Sequence, residues 1–301
     1  MKDSPLKTNL LLALLCLIWG STWLAIKISL TGIPPFWGVS LRFLIAGAVL
    51  LGITRISGGR IPVSKLFRPD VIICGIIMYC GSYALVYWGE QYISSGLSSI
   101  IFAVMPFYAG IMAHLWIKGE KLTLIKLSGI IIGFAGVYIV FKDNIHVYGD
   151  YGLYGMLAMA IAPLFSAAGA VMIKARLTDF DTISLTGFQM LIGAICLLPV
   201  AALTEDIRAV HPNWASLAAL LYLALFGSAL TFVTYYRLIK SVGVTKTSLV
   251  AFITPLVAVV IGALVYHERI NRGILLGGAM VATGVVLVTG LYGLWWSIRR
   301  S

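Results

Sequence analysis

The sequence predicts an all-α membrane protein of ten transmembrane helices, arranged as a 5+5 inverted repeat around a central cavity. Three observations carry this expectation. First, of 301 residues 60% are apolar and only 11% charged, with a mean hydropathy of +0.99; a soluble domain covers its surface with about 25% charged residues. Second, apolar runs of the ~20 residues that cross a bilayer recur from end to end, with no soluble domain between them. Third, one stretch is written twice: residues 98–141 return as 248–290. Ser99, Pro106, Glu120, Gly129 and Gly136 are echoed in order by Ser248, Pro255, Glu268, Gly277 and Gly284. Glu to Gly is nine residues in both copies and Gly to Gly is seven, while Pro to Glu is fourteen against thirteen. A repeat of this kind sets the architecture before any single residue does.

In order, the spans are 9–30, 36–56, 69–91, 96–117, 123–141, 151–175, 183–203, 214–239, 244–266 and 273–296. Backbone polar groups in lipid must be satisfied within the segment, so these runs are helices. The alternating ten-residue segments of a transmembrane barrel do not occur. The first span is too long for a signal-peptide core and no small-residue cleavage site follows it, so it is expected to stay. Spans six to eight repeat spans one to three at an offset of 147. Ile26–Lys27 falls on Ile173–Lys174, LRFLIAG at 41–47 falls on FQMLIGA at 188–194, and Gly81–Ser82 meets Gly227–Ser228 with a small slip. The repeats are therefore 1–146 and 147–301. Five is odd, so the second repeat enters the membrane from the opposite side. Secondary transporters place substrate at the interface of such halves.

Charge gives the orientation. With the N-terminus inside, the inner segments hold 16 Lys and Arg and the outer links hold four, Lys142, Arg208, Arg269 and Arg272. That bias puts both termini in the cytoplasm and supports an even span count. The net charge of +11 is spread over the links rather than gathered on one segment, which argues against a nucleic-acid partner. Cys16, Cys74, Cys80 and Cys196 lie in apolar runs and read as small core residues, with no disulfide framework. No Walker loop, zinc pattern or hydrolase triad is present, so no catalytic residue, metal ligand, cofactor or enzyme activity is expected.

The order of motifs resembles the EamA-type ten-helix exporters of the drug/metabolite transporter superfamily. The residues that carry it are Trp19-Gly20-Ser21-Thr22-Trp23, Pro34-Pro35, Leu41-Arg42-Phe43 and the twice-written Pro…Gly-Glu or His-Glu…Gly…Gly pattern. Glu90-Gln91…Ser95-Gly96 and Leu225-Phe226-Gly227-Ser228 are similar to the inner-membrane permease branch related to pigment and amino-acid exporters. The resemblance implies a basket of ten helices around a cavity, in the cytoplasmic membrane. It also implies export of small metabolites such as amino acids, pigments, purines or amphipathic cations.

Candidate substrate-binding residues are Trp19, Trp23, Arg42, Tyr83, Tyr87, Glu90, Phe107 and Tyr235. Aromatic rings near the midplane stack on planar or cationic solutes, whereas rings near span ends form the interfacial belt, as expected for Trp37, Trp214, Trp295 and Trp296. Lys27, Arg42 and Glu90 fall in the outer third of spans one to three. They read either as a structural ion pair centred on Glu90 or as an anchor for a substrate carboxylate. All eleven acids lie at or beyond span ends, which argues for facilitated transport or exchange, or for coupling through another group. His114 is a titratable group near the end of span four, or an interfacial packing residue. Pro106 and Pro255 are symmetric candidates for gating kinks. Gly129/Gly133 and Gly273/Gly277 permit close helix approach, either between the halves or in a homodimer through spans five and ten. Glu120 and Glu268 are expected to cap the next helix or to pair with Lys121 and Arg269. The leading expectation is a secondary transporter working by alternating access between lipid-embedded halves. A membrane-embedded enzyme or a lipid-handling protein is the alternative, and needs a polar catalytic cluster.

Overall fold

The computed structural model describes residues 5–58, 66–235, 238 and 249–290. Among them the chain is all α, with helices α1 (Pro5–Ser29), α2 (Pro35–Ile56), α3 (Pro69–Glu90), α4 (Ser95–Trp116) and α5 (Leu124–Asn144). They are followed by α6 (Tyr151–Arg176), α7 (Thr182–Thr204), α8 (Trp214–Tyr235), α9 (Leu249–Tyr266) and α10 (Arg272–Thr289). Nine described helices are long and apolar enough to cross a membrane, and α9 adds a shorter apolar one. Large apolar side chains point outward along their length, among them Leu10, Leu17, Ile131, Leu264 and Leu275. In water these would be a liability; in lipid they are the solvated face.

The predicted parts of spans eight to ten at 236–237, 239–248 and 291–296 lie outside the described residues. So do Tyr236, Ser248, Trp295 and Trp296, and so do Lys2, Arg60, Lys65, Arg237, Lys240, Lys246, Arg299 and Arg300 of the charge count.

Spans five and six depart from expectation. The link predicted at 142–150 is helical, and the backbone is wound continuously over 53 residues, Leu124–Arg176. A straight helix of that length would separate its ends by about 80 Å. Here Lys174 Nζ lies 2.6 Å from Glu120 Oε1, four residues before the helix begins. The helix therefore doubles back, and α5 and α6 run side by side in opposite directions.

The helices of the two sequence repeats interleave. α1 packs on α9, α2 on α7, α3 on α6 and α5 on α10. The α5–α10 seam is the tightest: a Cβ at Gly136 would lie 2.6 Å from the Gly277 carbonyl oxygen. Gly129 approaches Gly284 in the same way. The glycine stripes of spans five and ten thus meet within one chain, which is the between-halves arrangement, and the seam is filled by the chain's own α10.

Two features were not foreseen. Both α3 and α8 contain a π-helical stretch, Ile76–Ser82 and Leu225–Leu230. They fall where Gly81–Ser82 and Gly227–Ser228 mark corresponding places in the repeat. A π-turn widens the helix, frees a carbonyl from its usual partner and often marks a functional site. The prolines are not equivalent. Pro106 starts a new helical segment, Met105–Trp116, after a break at Ala103–Val104. Pro255 sits inside an uninterrupted α9. Only one of the two expected kinks is an actual break.

Candidate functional site

Arg42 is the organising residue. It is 2% exposed and is the largest fully buried side chain described. Its Nε donates to Ser228 Oγ at 2.9 Å, and Nη2 donates to the Gly227 carbonyl at 3.3 Å. Both acceptors belong to the π-helical stretch of α8. Nη1 reaches the Tyr87 hydroxyl at 3.5 Å. The guanidinium carbon lies 5.2 Å from the Tyr83 ring centre, 5.3 Å from Phe43 and 6.0 Å from Tyr87. Such faces attract a cation through the ring quadrupole. No carboxylate lies within ion-pair distance of Arg42 among the described residues. The expected ion pair with Glu90 is therefore absent. Glu90 is fully buried, and neither of its oxygens has a hydrogen-bond partner.

Rings continue outward from this cation. Phe43 packs edge-on against Tyr83 at 4.8 Å and Tyr79 at 5.1 Å. Tyr79 touches Phe232 at 5.7 Å, and Phe232 touches Trp19 at 5.7 Å. Trp19 lies 5.1 Å from Tyr235. Arg42, Tyr83, Tyr87, Trp19 and Tyr235 thus belong to one polar–aromatic centre. It is built from α1, α2 and α3 on one side and α8 on the other. Trp19 and Tyr83 are half-buried and Tyr87 is fully buried. The expected central cavity is occupied by these side chains in the state described.

Two candidates lie elsewhere. Trp23 pairs with Phe102 at 5.3 Å, on the side of α4. Phe107 packs on Phe134 and into the space left by Gly133 and Gly284, so it fills the α4–α5–α10 seam. Sequence reasoning missed Phe43, Tyr79, Phe232 and the binding role of Ser228. Phe232 had a signal: Ser228, Phe232 and Tyr235 are spaced four and three apart, one face of a helix.

The two ends of the bundle are held differently. At the end carrying Glu90, carboxylates from the second repeat cap helix starts in the first. Glu268 accepts from the backbone N–H groups of Ser95 at 2.8 Å and Gly96 at 3.0 Å. Glu205 accepts from those of Phe36 at 2.8 Å and Trp37 at 3.0 Å. A helix start offers unpaired N–H groups and the positive end of its dipole, so both carboxylates complement it. His267, in the left-handed region at φ 53°, turns the chain so that Glu268 N–H donates to the Gly262 carbonyl and its carboxylate points back over α4. The Glu205 carboxyl sits above the usual carboxylate range because burial outweighs the two N–H donors. Glu268 therefore caps α4 rather than the helix that follows it; Asn271 caps that one.

At the opposite end the links are more exposed side-chain pairs. Lys174 bonds Glu120 at 2.6 Å, and Arg68 meets Asp70 at 2.6 Å and Asp179 at 3.7 Å. The Lys174 hydrogen bond and charge hold the Glu120 carboxyl below its ordinary value. Glu120 pairs with neither Lys121 nor the next helix start, which Thr123 caps. His114 is exposed and its Nδ1 lies 2.9 Å from the Glu120 carbonyl.

A lipid-facing bundle with a buried cation among aromatic rings, at a contact between its two sequence repeats, defines a polytopic membrane protein with a polar interior. The EamA-like transporter family model matches it twice, over residues 6–142 and 153–290. The chain belongs to the EamA-like transporter family, and is a membrane transporter. It is 29% identical to the uncharacterized transporter YvbV of Bacillus subtilis, over 96% of this chain and 93% of that one. It is 26% identical to the uncharacterized transporter YoaV of the same organism, covering 91% and 93%. It is 27% identical to the uncharacterized inner membrane transporter YedA of Escherichia coli, covering 91% and 88%. A solved crystal structure has the same fold, with a TM-score of 0.69 at 20% identity over 96% of this chain and 98% of the other.

Proposed function

We propose that the protein is a secondary transporter that exports small amphipathic metabolites across the cytoplasmic membrane by alternating access. Its substrate site is the Arg42 centre, formed by Trp19, Tyr83, Tyr87 and Tyr235 with Phe43 and Phe232. The observation that carries the reading is Arg42 itself: a buried guanidinium with neutral partners and no carboxylate to neutralise it. Burying an unpaired charge costs several kcal/mol, so a charge kept there is retained for something that arrives. A planar guanidinium binds a carboxylate through two parallel hydrogen bonds. The adjoining rings accept an apolar or aromatic body. The favoured solute class is therefore a small organic acid or amino acid with a planar side group.

The double family match supports two halves that divide near residue 147 and enter the membrane from opposite sides. The position of the carboxylate caps, on the end that the charge distribution assigns to the outside, supports an outside-closed state with both termini cytoplasmic. Release of those caps opens the centre outward. Re-seating them, with loss of the exposed pairs at the other end, opens it inward. Counterflow in proteoliposomes with a labelled panel of amino acids, purines and organic cations tests the reading, since it needs no imposed ion gradient. Accelerated exchange for one class, cut roughly tenfold in Trp19→Ala, is the expected result. No exchange for any class, with or without ion gradients, from folded protein would overturn it.

A further inference from the structure

Glu90 is left unused by the site described above. It is the last residue of α3, is fully shielded from solvent, and has no hydrogen-bond partner for either oxygen. The charges that act on it come from three directions: Lys27 on α1, Arg42 on α2 and Glu268 on the α9–α10 link. Tyr87, one turn back on its own helix, is the neighbouring titratable group. On the α6 side, Gly155 and Ala158 pack against Gly89 and bring no charge. Lys27 is half-buried and forms no ion pair with Glu90, and Arg42 is committed to Ser228, Gly227 and Tyr87. The carboxyl thus lies among two cations and a like charge and is bonded to none of them.

Its position ties it to the outer cap. Only residues 91–94 separate Glu90 from Ser95, whose backbone N–H is held by Glu268. A shallow crevice lined by Ser94, Gly96, Leu97 and Glu268 already opens beside that cap. Withdrawal of Glu268 removes a negative charge from the neighbourhood of Glu90, frees the turn and admits water.

We propose that Glu90 is the proton-binding site of this transporter, loaded or unloaded as the Glu268 cap leaves and returns. With the cap seated, Glu90 is the neutral acid, because its oxygens are shielded from solvent and have no donor to stabilise a charge. With the cap withdrawn, the O–H bond breaks, the proton passes to water at that face, and the carboxylate takes Lys27 or Arg42 as its counter-ion. Pairing with Arg42 would compete with a substrate carboxylate, so proton and substrate occupancy are linked at one guanidinium. The proposal rests on the transporter reading for its meaning, but its first test needs no substrate.

That test is infrared spectroscopy of the purified protein in lipid, titrated from acid to alkaline pH. Wild type is expected to keep a protonated-carboxyl C=O stretch at neutral pH that Glu90→Gln lacks, that Glu90→Asp restores at a shifted frequency, and that Glu205→Gln retains. Glu268→Ala, which unseats the cap, is expected to move loss of the Glu90 band to lower pH. An identical band in wild type and Glu90→Gln, or a titration indifferent to Glu268→Ala, would overturn the proposal. The second test is counterflow with the same panel: rates that vary with pH in wild type and are flat in Glu90→Gln are expected. PH-independent wild-type exchange would refute coupling. A complete lack of exchange would count against the transporter reading, and the infrared result would still decide whether Glu90 holds a proton.

Discussion

Replacing Arg42 by Met separates a structural from a functional reason for a buried charge. The substitution keeps length and apolar contact with Phe43 and Tyr83 and removes the guanidinium. Three hydrogen bonds are lost: those to Ser228 at 2.9 Å and to the Gly227 carbonyl at 3.3 Å, about 1.5–3 kcal/mol each, and a weaker one to the Tyr87 hydroxyl at 3.5 Å. The ring-face attraction adds about 0.5–2 kcal/mol. Against this stands relief of an uncompensated buried charge, a penalty of several kcal/mol. Ser228 keeps a local acceptor, since serine in a helix can bond back to its own backbone. The two sides nearly cancel, leaving a net change within about 2 kcal/mol. A chain of 150–250 residues shifts in Tm by about 2–4 °C per kcal/mol, and one of 301 residues by no more than that. Arg42→Met should therefore melt within about 8 °C of wild type, on that same scale. Phe43→Ala is the yardstick: Phe43 is fully buried, and such truncations cost about 3–5 kcal/mol. Thermal unfolding of both variants in one detergent decides the matter. If Arg42→Met falls as far as Phe43→Ala or fails to fold, Arg42 is a structural post and the site has been misread.

Other outcomes follow from the same geometry. Trp19→Ala removes ring contacts to Phe232 and Tyr235, about 0.5–1.5 kcal/mol each; exchange is expected to fall roughly tenfold with unchanged expression. Gly136→Ala forces a Cβ to within 2.6 Å of the Gly277 oxygen and should destabilise by about 1–3 kcal/mol, whereas Gly52→Ala meets nothing within 4 Å and should melt as wild type. Lowering pH through the depressed Glu120 value removes its pair with Lys174: that contribution is complete above the ordinary glutamate range and is lost on acidification. Melting curves of Lys174→Ala should lack this acid-side step. The raised Glu205 value has the opposite sign: its proton-linked contribution is complete at low pH and is lost as pH rises through the shifted value. Glu205→Gln should flatten that part of the profile.

Helix content, span order and membrane residence were legible because hydrophobic length and duplication are local properties of the chain. Arg42 and Tyr83 were legible because a charge or a ring inside a span is costly or informative by itself. Glu268 was visible as a repeated landmark, but its partners Ser95 and Gly96 are backbone donors 173 and 172 residues away and carry no side-chain signature. The seal around Glu90 was hidden for a related reason. Sequence places it at a span end, in the outer third of the bilayer beside Lys27 and Arg42, while the packing of α6 and the turn before α4 seal it. The continuous winding through 142–150 was hidden because a loop and a helical bend satisfy the same hydropathy pattern. The π-turns were unmarked, since they depend on how α3 and α8 meet their neighbours.

Alternating access through the Arg42 centre is tested most directly by where a probe at Tyr83 can be reached. Tyr83→Cys, in a background with Cys16, Cys74, Cys80 and Cys196 replaced, would be treated with a membrane-impermeant thiol reagent in right-side-out and in inside-out vesicles. Labelling from both faces, slowed by the solute class that supports counterflow, is predicted for a centre exposed in turn to each side. Labelling from one face only, or from neither, would contradict it.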